Sequence, residues 1–137
     1  MTKEVILQFI RTKRYAVIST CGFNNQPEAA LIGFGTTENI ELIFGTYSSS
    51  RKYKNIKEND KVALVIGWDE DYITVQYEGI AKEVTGEELE PLISEFYAQV
   101  PEAVVYKNHP EQTYFKVSPK WIRYADGPQE NISEVTF

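Results

Sequence analysis

The sequence predicts a mainly β fold with helices (β+α), read as a small antiparallel barrel of about six strands. Three observations lead there. Short runs of β-branched and aromatic residues alternate with turn-forming clusters, the signature of hairpins. Helical patterns occur at the start of the chain and then late, not after every strand, which disfavours a doubly wound sheet. The 137 residues suit one domain, residues 1–137, with no repeat, low-complexity tract or linker.

Each element follows from local pattern. In "TKEVILQFIRTK", Val5, Ile6, Phe9 and Ile10 fall on one face at helical spacing, and Thr2 is placed to cap the helix. "RYAVIST" reads as a strand and "CGFNNQP" as a turn. "EAALIGFG" and "IELIFGTY" read as two strands joined through "TTEN". "SSRKYKNIKEN" reads as a short helix with a serine at its N-cap. "KVALVIGW" is almost continuously apolar, as expected of a strand buried on both faces. "YITVQYEGIAKEVT" alternates through Ile73, Val75 and Tyr77, with Gly79 as a bulge or bend. "GEELEPLISEFYAQV" is an amphipathic helix with Leu89, Leu92, Ile93, Phe96 and Val100 inward. "TYFKVSPKWIRYAD" carries one or two last strands, with Pro119 at an edge or break. The tail "GPQENISEVTF" has little core signal.

Composition narrows the function. Apolar residues make up 42% and charged residues 25%, an ordinary globular mix. A chain this long can bury roughly two-thirds of its unfolded surface, so it needs no disulfide or metal to fold. The net charge of -6 argues against nucleic acid, which requires a broad basic surface, but leaves room for a local cationic pocket. One cysteine, Cys21, and one histidine, His109, cannot close a tetrahedral metal site. The N-terminus is broken by Glu4, Gln8 and Arg11, unlike a signal peptide, and no apolar run approaches the ~20 residues of a membrane span. A cytoplasmic location is expected.

Most motif candidates fail on chemistry. "GFGTTE" has Glu38 where a dinucleotide fingerprint needs its third glycine, and a hairpin follows rather than a helix. "GTYSSSRK" has Ser50-Arg51 where a P-loop needs Gly-Lys. "NIS" at Asn131 is a glycosylation sequon with no expected secretory route. His109 has no local nucleophile to serve, and nothing near Cys21 would lower its pKa.

"FGTYSSSRKYKNIKEN" is different. A strand ends at Gly45-Thr46 and a helix begins near Ser49. Its first-turn N–H groups lack internal partners and its dipole end is positive, so it attracts anions. Thr46, Ser48, Ser49 and Ser50 offer hydroxyls; Arg51 offers a planar fork and Lys52 a point charge. These features describe either a phosphate site or a serine-capped helix with solvated cations.

The segment "IFGTYSSSRKYKNIKENDKVALVIGW" resembles the flavin-phosphate segment of the pyridoxamine 5′-phosphate oxidase-like FMN-binding split-barrel superfamily, in its short, general-stress-protein-like form. The resemblance covers roughly residues 5 to 125. It implies a six-stranded antiparallel split β-barrel of Greek-key type that binds FMN as an oxidoreductase. It implies that Gly45 and Thr46 contact the ribityl or phosphate region, and that Ser50, Arg51 and Lys52 hold the phosphate. Ala30, Leu31, Ile32 and Gly33 would run along the isoalloxazine edge, with Thr74 near the ring. It implies a homodimer with flavin at the interface, which Trp121, Arg123 or Tyr124 of the partner would approach. A small-molecule substrate or nicotinamide donor is implied; nucleic acid and membrane are not. A non-catalytic flavin or haem carrier or sensor of the same fold is the alternative. Two departures point away from vitamin B6 oxidation: "KWIRYADGPQ" lacks the family's Arg-x-His histidine, and Ala30 stands where the oxidases carry arginine.

Overall fold

The structure is a computed structural model that describes residues 3–128 and 131–137; Thr2, the expected helix cap, lies outside them. A curled antiparallel sheet forms a split barrel of eight strands rather than the six expected. The order along the sheet is β2 (Pro27–Gly33), β1 (Tyr15–Cys21), β5 (Lys61–Gly67), β6 (Thr74–Glu83), β7 (Gln112–Ala125), β4 (Leu42–Tyr47) and β3 (Gly35–Thr36). The eighth, β8 (Ile132–Thr136), also pairs with β7.

Strand β7 organises this arrangement. One side of it pairs with β6 along its length. The other side is divided: residues 112–117 pair with β4 and residues 121–125 with β8. Pro119 falls between the two, where no amide is needed on that side, and lies opposite Gly79 at a register shift in β6. The expected break at Pro119 is therefore a change of partner within one strand. The tail read as having little core signal supplies β8, and its Val135 packs on the core. Its five residues alternate in burial, too short a run to stand out beside the polar residues before it.

Two other expectations are corrected. Residues 27–33 do not form a hairpin with β4. They pair with β1, and the chain breaks at Phe34, leaving only Gly35–Thr36 to pair with β4 across the turn. Strand β5 is buried on one face only: Val62, Leu64 and Ile66 point inward while Ala63 and Val65 are exposed. Its continuous apolar run reflects an uncovered outer sheet face.

Inside the barrel, α1 (Lys3–Arg11) inserts Ile6 and Ile10, both fully buried; Val5 lies at the edge of the apolar stripe and is exposed. Tyr77 is fully buried, and its hydroxyl donates to the carbonyls of Ile40 at 2.8 Å and Val117 at 3.1 Å. That tie joins the β3–β4 turn to β6 and β7. A second, smaller core packs Ile93 and Phe96 of α3 (Leu89–Gln99) on Ile43 and Tyr114 of the sheet. A 3-10 turn, Gly86–Glu88, leads into α3, and another, Pro101–Tyr106, follows it. The pair lays this segment beside β4, where it walls the site.

Candidate functional site

The site starts from the end of β4. After Tyr47 the chain turns into α2 (Arg51–Glu58), with Ser50 at the N-cap. The Ser50 hydroxyl accepts the Tyr53 N–H at 3.2 Å and bonds the Thr46 hydroxyl at 2.9 Å. Both hydroxyls thus help to fix the turn, with one O–H of the pair still able to donate, and the Thr46 carbonyl is held by the Thr113 hydroxyl at 2.5 Å.

Lys52 reaches into a cavity of about 460 Å³ lined also by Leu31, Ile32, Gly33 and Gly45. These five residues from three separated segments meet in one place. A Cβ at Gly45 would displace the Gln112 side-chain amide, so glycine keeps that amide against the strand. The opposite wall is aromatic: Phe96, Tyr97 and Tyr106 of the α3 segment. Among the described residues no carboxylate pairs with Lys52. Burial holds its amine below the ordinary lysine range. An unpaired, half-buried ammonium facing a cavity favours an anion. Burial, then the hydrogen bond shared with the Tyr114 hydroxyl, push Tyr97 above the ordinary phenol range, so its ring is neutral.

Arg51 goes elsewhere. Its guanidinium is 75% exposed and lies 3.2 Å from Glu28 at the start of β2. Glu28 in turn accepts from the Asn55 side-chain amide at 2.8 Å. Ala30 sits on the inner side of β2, packed against the main core.

Thr74 and Trp121 do not line the cavity. By register they lie on the outer sheet face: Thr74 is opposite Gly67 and Ala125, and Trp121 is between Glu78 and Thr136. Arg123 shares that face and pairs with Glu134 at 3.3 Å. Tyr124 points inward, its ring edge-on to Phe9 at 5.6 Å, so it is a core residue. The same outer face carries Leu31, Val17 and Val65 side by side across β2, β1 and β5, at 67%, 43% and 50% exposure. Tyr15 and Leu31 belong both to this face and to the cavity lining, so the cavity opens onto the apolar row.

His109 is outside the cavity. It stacks on Tyr47 at 4.1 Å, and its Nδ1 accepts the Glu111 N–H at 3.1 Å. Among the described residues no group of His, Cys, Asp and Glu could hold a metal ion, and no helix is long and apolar enough to cross a membrane. Sequence reasoning missed the aromatic wall. Tyr97 lies next to Phe96 just off the apolar stripe of α3, and Tyr106 follows Pro101. Two tyrosines beside a helix end, outside its buried face, were the available signal.

The family model described as "Pyridoxamine 5'-phosphate oxidase" matches residues 2–126. A "Pyridoxamine 5'-phosphate oxidase homolog" of Saccharomyces cerevisiae is 32% identical over 89 residues, 57% of this chain and 43% of the yeast protein. The chain therefore aligns with less than half of that relative's length. Among solved structures, General Stress Protein 26 from Bacillus anthracis superposes with a TM-score of 0.76 at 23% identity, covering 98% of both chains. HutZ, the heme storage protein from Vibrio cholerae, superposes with a TM-score of 0.69 at 14% identity, covering 99% of this chain and 95% of its own. At these identities the two structures speak to the fold alone.

Proposed function

Because the chain belongs to the pyridoxamine 5′-phosphate oxidase family, we propose that the cavity beside Lys52 holds FMN, and that the protein is an FMN-dependent oxidoreductase of a small organic substrate. The observation that carries this reading is Lys52 itself, an unpaired, half-buried cation among the backbone of residues 31–33, Gly45 and an aromatic wall.

In this reading Lys52 neutralises the flavin phosphate beside the first-turn amides of Arg51 and Lys52. Ser50 and Thr46 act through the turn they fix, Gly45 leaves room for the ribityl chain, and Arg51 adds its charge from the Glu28 side. The backbone of Ala30, Leu31, Ile32 and Gly33 borders the isoalloxazine edge, and Tyr97 and Tyr106 shield it from water. When bound, FMN supplies hydride or single-electron chemistry, with a nicotinamide as a fitting donor class. The protein supplies orientation and charge.

A second copy of this chain is the proposed cover for the outer sheet face. The apolar row of Leu31, Val17 and Val65 runs into the cavity mouth, so the site is open on the side where that copy would sit. Thr74, Trp121 and Arg123 would then face the partner's cavity from the same sheet. Vitamin B6 oxidation is not part of the proposal: Ala30 offers no charge to a substrate phosphate, and no histidine follows Arg123 within "KWIRYADGPQ".

A haem carrier is the second reading, favoured by the likeness in fold to HutZ. The donor set supports it less well. No histidine, cysteine or methionine lines the cavity, and His109 is stacked on Tyr47 away from it.

A visible spectrum of the purified protein, taken before and after FMN addition and gel filtration, tests the choice. A retained flavin spectrum supports the proposal. A haem spectrum replaces it with the second reading. No retained chromophore overturns both.

A further inference from the structure

We propose that Glu28 and Asn55 position Arg51, aiming its guanidinium so that the free donors face an anion at the N-terminus of α2. The inference rests on the phosphate reading above and assigns roles to two residues outside the cavity lining.

The geometry is a relay across three elements. Asn55 is buried on α2, and its side-chain amide donates to Thr20 of β1 at 3.0 Å and to Glu28 of β2 at 2.8 Å. Those two bonds fix the helix against both strands and fix one carboxylate oxygen of Glu28. The other carboxylate oxygen lies 3.2 Å from Nη1 of Arg51. The Glu28 side chain is only 21% exposed, whereas that of Arg51 is 75% exposed. A long, exposed arginine explores many rotamers unless something holds it, and a carboxylate that is itself held can do so. The contact engages one terminal nitrogen, which leaves the other guanidinium donors available. Arg51 and Lys52 are consecutive at the start of α2, so their side chains leave the helix about 100° apart. An anion at the helix end therefore sits between them, with Lys52 from the cavity side and Arg51 from the β2 side. As a surface ion pair alone, Glu28–Arg51 would contribute little to stability. Its position beside an anion site gives the pair a use.

The test is a titration of FMN and of riboflavin, followed by flavin fluorescence, into the wild type, Glu28→Gln, Arg51→Ala and the double variant. Glu28→Gln keeps the shape of the side chain and removes its charge. It is expected to weaken FMN about threefold to thirtyfold, within the span of coupling in one hydrogen-bond network, with riboflavin changed by less than about twofold. In the Arg51→Ala background Glu28→Gln should have no further effect on FMN. Unchanged or tighter FMN binding in Glu28→Gln, or an undiminished effect in the Arg51→Ala background, overturns the positioning role. Equal affinity of the wild type for the two flavins sinks the phosphate reading instead. Arg51→Lys, at an exposed position that cannot compromise folding, is the second probe. It keeps the charge but loses the planar fork, and should lose FMN affinity nearly as far as Arg51→Ala; full retention refutes the role.

Discussion

Replacing Lys52 by Met removes one charge and keeps most of the apolar stem. The lysine has no carboxylate partner among the described residues and is half-buried. A phosphate would therefore meet an ammonium with no ion-pair partner; Glu102, which also lines the cavity, is paired with Arg14. Charge-assisted hydrogen bonds contribute about 1.5–3 kcal/mol, and this setting favours the upper half. We expect Lys52→Met to weaken FMN by roughly 45- to 150-fold, leaving riboflavin nearly unchanged. The pH dependence follows from the depressed amine. As pH rises through the Lys52 value, which lies below 10.5, the wild type should lose its FMN preference, and the variant should show no such step. At the acid end the second protonation of the phosphate, near pH ~6, weakens binding independently. Stability should move the other way. A lysine whose amine is depressed by folding binds fewer protons folded than unfolded, so its cost is present at neutral pH and fades as pH rises through the folded value. Lys52→Met should thus raise the thermal midpoint of the flavin-free protein at pH 7. Fluorescence titration with both flavins, over a range of pH, reads the binding arms. Equal losses for FMN and riboflavin would refute the reasoning, as would an unchanged FMN affinity.

Other substitutions probe the frame. Leu31→Glu and Val65→Glu each place a charge in the exposed apolar row; sedimentation should show the wild type as a dimer and each variant as a folded monomer with weakened FMN retention. Tyr77→Phe leaves the carbonyls of Ile40 and Val117 without their buried donor; urea unfolding should show a loss of about 1–3 kcal/mol. Gly67→Ala forces a side chain onto a backbone with φ +105°, where its Cβ would overlap the Ile73 carbonyl; calorimetry should show a destabilisation of at least about 1–3 kcal/mol.

Much of the fold could be read from local pattern because local chemistry fixes it. The Ser50 cap, the inward row of α3 and the bulge at Gly79 all appear where spacing placed them. Pairing was harder to read. Residues 27–33 could have bonded either neighbour, and only the register with β1 decides it. The apolar run of β5 could mean two buried faces or one buried and one uncovered, and periodicity does not separate these. At the site, adjacent residues part company: Lys52 enters the cavity while Arg51 turns to Glu28. Sequence places the two together and cannot show that a carboxylate 23 positions earlier claims one of them.

The divided partnership of β7 has a consequence for how the protein is made. Strand β4 ends in the turn that leads into α2 and Lys52, yet its long hydrogen-bonded neighbour is residues 112–117. During synthesis the β1–β2 and β5–β6 hairpins can close from nearby sequence, while β4 must wait for chain that emerges much later. The turn after β4 therefore acquires its strand support only once residues 112–117 have emerged. A chain released before β7 would carry the whole serine-arginine-lysine motif and still lack the strand that braces it.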